Sequence, residues 1–169
     1  MKKVSLFSAI YRYGLISGLT VLMIATSYSP RTLAQQNNPF DCDRTLYISQ
    51  GEQRSTLNRV NTRPFELNSI GTANVEYNAI GFNIQDSFIY GMSPQSEGPN
   101  PPIIYQISAN GTATPLGSPT NFPEIPTNSG AFVFSGDIDR NGNYIVYVTG
   151  RPVGQPNLFQ INLSTNSVV

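Results

Sequence analysis

The stretch SGDIDRNGNYIVY (135–147) sets oxygen-bearing side chains at alternate positions, Asp137, Asp139 and Asn141, and follows them with Gly142. That order opens a calcium-binding loop, which draws oxygens from its first, third and fifth positions and needs glycine at the sixth. Such a loop is completed by a bidentate carboxylate at its twelfth position, with a further ligand at the ninth. Here those positions are Val148 and Ile145, and neither side chain carries an oxygen. Tyr144-Ile145-Val146-Tyr147 reads instead as a strand, which straightens the backbone where a loop would wrap an ion. Asn141-Gly142 is also a favoured pair for a two-residue hairpin turn, in which both residues take positive φ. The spacing therefore predicts a hairpin turn. Asp137, Asp139 and Asn141 are the ligands of a calcium site only if other residues complete it, and no other cofactor is expected.

The remaining chemistries narrow quickly. The chain has no histidine, so no Ser-His or Cys-His pair and no histidine zinc site can form. An acid/base pair of carboxylates, as glycoside hydrolysis uses, is conceivable. Yet Asp41, Asp43, Glu52, Glu66, Glu76, Asp86, Glu97 and Glu124 are scattered through turn and loop segments, where solvated acids are the expectation. Tryptophan is absent, which weakens a sugar-stacking platform while leaving tyrosines such as Tyr77. Two long irregular stretches, 93–103 and 118–130, are the loops on which binding residues would concentrate. Phe122 and Ile125 in the second are expected to tuck back onto the scaffold rather than form a contact patch.

The elements that position these residues begin after an address. Lys2, Lys3 and Arg12 precede the apolar run LISGLTVLMIAT (15–26), and Thr32-Leu33-Ala34 supplies small residues for a peptidase. The run is shorter than the ~20 residues that span a bilayer as a helix. This pattern predicts a secretory signal peptide over 1–34, helical in its core and cleaved after Ala34. An uncleaved anchor is the alternative. Four of the ten basic residues fall in this leader, so the mature chain carries six against ten acids, a net charge of −4. Nucleic acid and anionic membrane surfaces both need clustered positive charge and are excluded as partners. The single cysteine, Cys42, cannot close an internal disulfide; it reads as a small packing residue or as one lacking its partner.

Residues 35–44 are polar and aperiodic, a linker, and from 45 to 169 the chain is strand and turn. Three pieces align: LNRVN (57–61), IYQIS (104–108) and LFQIN (158–162), with first residues 47 and then 54 positions apart. Each follows a strand ending in an aliphatic-tyrosine pair, Leu46-Tyr47, Ile89-Tyr90 and Val146-Tyr147, and each precedes a turn and another strand. Phe82 of NAIGFN (78–83) further matches Ile138, giving the second and third units an earlier strand. The units, about 45–71, 78–117 and 131–169, are read as four short antiparallel strands each. A recurrence of that length is the period of a β-propeller blade, with a β-sandwich as the alternative.

The stretches FDCDRTLYISQG (40–51), YNAIGFNIQDSFIYGMSP (77–94) and IYQISANGTATPLG (104–117) resemble a family of secreted bacterial repeat domains of unknown function. The resemblance covers most of residues 40–169 and implies an exported, propeller-like domain, often placed beside adhesin-type surface repeats. It implies no catalytic residues. The expected fold is thus all-β and propeller-like, with about three four-stranded antiparallel blades in an incomplete ring. The expected function is a secreted, periplasmic or cell-surface binding module whose partner is an extracellular protein or glycan, with self-association through an open sheet edge. A polysaccharide hydrolase or lyase using paired carboxylates, and a truncated, non-functional piece of a longer propeller, are the alternatives.

Overall fold

The computed structural model describes residues 37–41, 43–94, 101–123, 125 and 130–169, all within the compact unit Gln35–Val169. The expected signal peptide and its cleavage site lie outside the described residues, as do Cys42, Glu97 and Glu124. Among the described residues there is no helix, and the strands form three separate antiparallel sheets rather than a closed barrel. The first sheet contains β1 (Leu46–Gln50), β2 (Thr56–Thr62) and β3 (Phe65–Thr72). The second contains β4 (Asn78–Asn83), β5 (Phe88–Met92), β6 (Ile104–Ile107) and β7 (Ala113–Gly117). The third contains β8 (Phe132–Ile138), β9 (Asn143–Thr149), β10 (Leu158–Asn162) and β11 (Ser167–Val168). Strands pair in chain order within each sheet, as antiparallel neighbours joined one to the next along the chain do, and the longest of these connections, between β5 and β6, takes up residues 93–103.

Two expectations need correction. The first sheet has three strands among the described residues, not four, because no described segment before β1 pairs as β4 and β8 do. The segment 37–41 is instead fastened across the first two sheets. Phe40 is buried, its ring centroid lies 5.0 Å from that of Tyr47, and its N–H donates to the Ser87 carbonyl at 2.7 Å. The Asn38 carbonyl accepts the Ala109 N–H at 2.9 Å. The second correction concerns the aliphatic-tyrosine pairs. Leu46 stands opposite Val60 and Ile89 opposite Ile107, but the residue opposite Ile161 is Tyr144, not Val146. The third unit is therefore displaced by two places. β9 is a seven-residue strand where β5 has five, so Tyr147 runs on to face Leu158. A two-residue displacement keeps every side chain on its face, which is why the repeat survives it.

Alternation then decides the core. Leu57 and Tyr47 of the first sheet pack with Ile89, Tyr105 and Ile107 of the second. The opposite face of the second sheet, with Tyr90, Met92 and Ile104, packs on Val146, Phe159 and Ile161 of the third. The middle sheet is thus buried on both faces, and each aliphatic side chain so enclosed contributes ~1.5–3 kcal/mol. Glycines let backbone meet backbone where the sheets come closest. A Cβ on Gly81 would lie 2.9 Å from the Asp137 backbone, and one on Gly111 would lie 2.7 Å from the Gly71 Cα. Phe122 and Ile125 are buried in the core between the second and third sheets, Phe122 with its ring 5.1 Å from that of Phe159. These two residues pack inward, as their loop was expected to place them.

Candidate functional site

The Asp137–Asn143 segment is a hairpin, but not the two-residue one. The Gly142 N–H bonds the Asp139 carbonyl at 3.0 Å and the Asp139 N–H bonds the Asn143 carbonyl at 2.9 Å, enclosing three loop residues. Gly142 alone takes a positive φ, +77°, while Asn141 does not. A turn followed by one left-handed residue is the usual three-residue hairpin, and glycine at that last position removes the need for positive φ at Asn141. The Asp139 carboxylate organises the loop. Its Oδ1 accepts the N–H groups of Asn141 (2.8 Å) and Asn143 (2.9 Å), and its Oδ2 accepts the Asn143 side-chain amide at 2.9 Å. These donors, the Asn143 amide foremost, hold its pKa below the ordinary carboxylate value. Three of its roughly four lone-pair sites thus face N–H hydrogens, the arrangement of an Asx turn.

Asp137 does not join that cluster. It lies on β8 opposite Ile145, exposed, with Oδ1 accepting the N–H of the next residue, Ile138, at 2.8 Å. Among the described residues no three Asp, Glu, Cys or His side chains converge as metal ligands would. What the hairpin does touch is the second sheet. The Gln85 side-chain amide donates to the Arg140 carbonyl at 3.2 Å, and its amide lies over Gly142, where a Cβ would come within 2.8 Å of Gln85 Oε1.

A polar chain outside the calcium-like stretch runs across the second sheet. The Tyr90 hydroxyl donates to Asp86 Oδ2, and the Gln106 amide donates to the Tyr90 oxygen at 3.1 Å. Asp86 Oδ1 also accepts the Phe88 N–H at 3.0 Å. Burial, followed by the Asp86 hydrogen bond, raises the Tyr90 hydroxyl to about 12. The first sheet repeats the plan with charge: Arg59, the counterpart of Gln106, donates to Asp43 Oδ2 and to Thr45 Oγ1, each at 2.9 Å. The Thr45 hydroxyl, foremost, lowers the Asp43 pKa. Asp43 and Asp86 each stand four residues before a tyrosine, Tyr47 and Tyr90, which is the signal that could have found them. Register-matched Ile145 places Asn141 at the same spacing, so the apparent calcium motif overlaps a turn position common to all three units.

Two further surfaces complete the candidate set. A cleft of about 160 Å³ lies between the end of β3 and the β6–β7 turn, lined by Thr72, Asn74, Asn110 and Thr112 among others. It is below the ~300 Å³ at which small-molecule pockets begin. The outer faces of the first and third sheets, by contrast, hold large apolar side chains in the open: Phe65 (72% exposed), Leu46 (59%), Leu158 (63%) and Phe134 (54%).

Comparison with known proteins places this arrangement among repeats. A family model described as a repeat of unknown function (DUF6923) matches residues 46–169, spanning all three sheets. No curated protein and no solved structure is significantly similar.

Proposed function

The chain belongs to this family of repeats of unknown function, and from that premise we propose that it is an exported, propeller-like repeat domain acting as a binding or surface-interaction module without catalysis. The observation that carries the reading is the exposed apolar surface of the two end sheets. Scattered apolar side chains are ordinary on a protein surface, whereas clusters of them on flat sheet faces mark contact sites. The propeller-like reading is supported by three antiparallel sheets packed face to face in chain order, each about the size of one blade. Export is supported by the leader sequence and by the acidic, lysine-free remainder.

The carboxylates favour this reading over a hydrolase or lyase. A glycosidase needs a general acid with a raised pKa facing a second carboxylate. Asp43 and Asp139 are shifted downward instead, and Asp43, Asp86 and Asp139 are engaged in turns and side-chain bonds. Incubation of the purified protein with a panel of extracellular polysaccharides tests the choice. The expected result is no release of reducing or unsaturated ends. Turnover abolished by substituting two particular carboxylates would replace this reading with the enzymatic one.

A further inference from the structure

The two exposed end faces are related by the internal repeat, and that relation names their partner. Leu57, Ile104 and Leu158 occupy one position in the three sheets, opposite Ser49, Met92 and Tyr147. Leu57 is 0% exposed because it packs on the second sheet, and Ile104 is 0% exposed because it packs on the third. Leu158 is 63% exposed, since the described residues supply no following sheet. The opposite faces tell the same story in reverse. Leu46, Ile89 and Tyr144 share a position, and Ile89 and Tyr144 are 2% and 0% exposed against the sheet that precedes each. Leu46 is 59% exposed. It heads an apolar row with Val60 and Leu67 across all three strands of the first sheet.

The outer face of the third sheet is therefore the kind of face that packs on a following sheet. The outer face of the first sheet is the kind that receives a preceding one. We propose that these faces dock on each other between two copies of this chain, third sheet on first sheet and first on third. The contact continues the stacking already formed twice inside each chain, and it rests on the propeller-like reading above. The described residues of two copies bring six sheets, within the four to eight at which propellers close. Because the two faces differ, the contact is heterologous, and only a closing rotation separates a ring from a filament.

The full chain, expressed with its own leader and purified, tests this by sedimentation equilibrium over micromolar concentrations. The parent is expected to have twice the chain mass. Leu158→Glu and Leu46→Glu each place a carboxylate in the centre of the contact and should raise the dimer dissociation constant by about a hundredfold or more. Both positions are exposed in the single chain, so circular dichroism should show the fold retained. Mixing the two variants should restore one of the two contacts, and with it association stronger than either variant shows alone but weaker than the parent's, because the intact first-sheet face of Leu158→Glu meets the intact third-sheet face of Leu46→Glu. A folded parent that stays monomeric would overturn the proposal and leave the surface-module reading standing. Sensitivity to one substitution alone would overturn it in favour of a like-to-like contact, and filaments would overturn closure at two copies. Polysaccharide turnover by a dimer with this mutational pattern would sink the module reading and spare the docking.

Discussion

Tyr144→Phe probes how the second and third sheets are joined. The Tyr144 side chain is fully buried, and its hydroxyl donates to the Ala79 carbonyl at 2.6 Å, across the sheet interface. Burial holds that hydroxyl firmly protonated, with its pKa raised well above the ordinary tyrosine value. The carbonyl is aimed there by an irregularity in β4 between Asn78 and Gly81, where Ala79 takes a φ of +55°. Deleting the oxygen removes a bond worth ~0.5–1.5 kcal/mol net, and leaving a buried acceptor short of its donor raises the cost to ~1–3 kcal/mol. With a urea slope of roughly 2 kcal/mol/M, the midpoint should fall by roughly 0.5–1.5 M at unchanged slope. Far-UV circular dichroism during urea titration at one fixed protein concentration reads this directly. Gly136→Ala is the companion variant. Its Cβ would stand 2.7 Å from the Ala79 oxygen and 2.9 Å from Tyr144 Cε2, so it should destabilise by at least as much through overlap. A Tyr144→Phe midpoint indistinguishable from the parent's would refute the claim that this bond helps hold the two sheets together.

Other consequences are equally direct. Millimolar calcium added to chelated protein should leave the melting temperature unchanged, whereas a ligand at ~100 times its dissociation constant would stabilise by ~2.7 kcal/mol; a rise of several degrees that Asp137→Ala abolishes would establish the calcium site. Burial raises Tyr77 and Tyr90 to about 12, above the ~10 of an unfolded tyrosine, so the stability they confer is complete below pH ~10 and declines as pH rises towards 12. Urea midpoints should accordingly fall from about pH 9.5 to about pH 11.5, on either side of the ordinary tyrosine pKa of ~10, and equal or higher midpoints at the upper pH would contradict the assignment. Mass spectrometry of protein recovered outside the cytoplasm should find an N-terminus at Gln35 or within a few residues, and intact Met1 in the membrane fraction would sink the export reading.

What could be read from sequence followed from period. The pieces beginning at Leu57, Ile104 and Leu158 fall in β2, β6 and β10, because alternation and spacing are local properties of the chain. The displacement of Tyr147 was hidden for a related reason. An aliphatic-tyrosine pair looks the same at either of two positions on one face, and only the hydrogen-bonded register distinguishes them. The Asp86–Tyr90–Gln106 chain was hidden because it joins a turn, a strand and the next strand, and no local pattern announces a cross-strand bond. Phe40 falls in a segment that reads as linker because its neighbours are polar. Its burial depends on Tyr47 and on a carbonyl, Ser87, that lies far along the chain.

The stretch that resembles a calcium loop shows why residue type alone misleads. An ion and a tight turn make the same demand on a sequence, namely oxygens brought together within a few residues, because both must satisfy positive charge or partial positive charge. In the turn the positive ends are backbone N–H groups, and Asp139 meets three N–H donors from Asn141 and Asn143 within 2.9 Å. The demands part company only further along the chain. An ion needs a carboxylate where Val148 stands, whereas a hairpin needs a strand that returns into the sheet, which Tyr144, Val146 and Val148 supply by burying one face completely. The turn then serves the neighbouring sheet through Gln85, whose amide reaches the Arg140 carbonyl and covers Gly142. Substituting Gly142 by alanine would strain the positive φ and press a Cβ on that amide at once. The glycine that completes the calcium-like pattern is thus required for reasons in which no ion takes part.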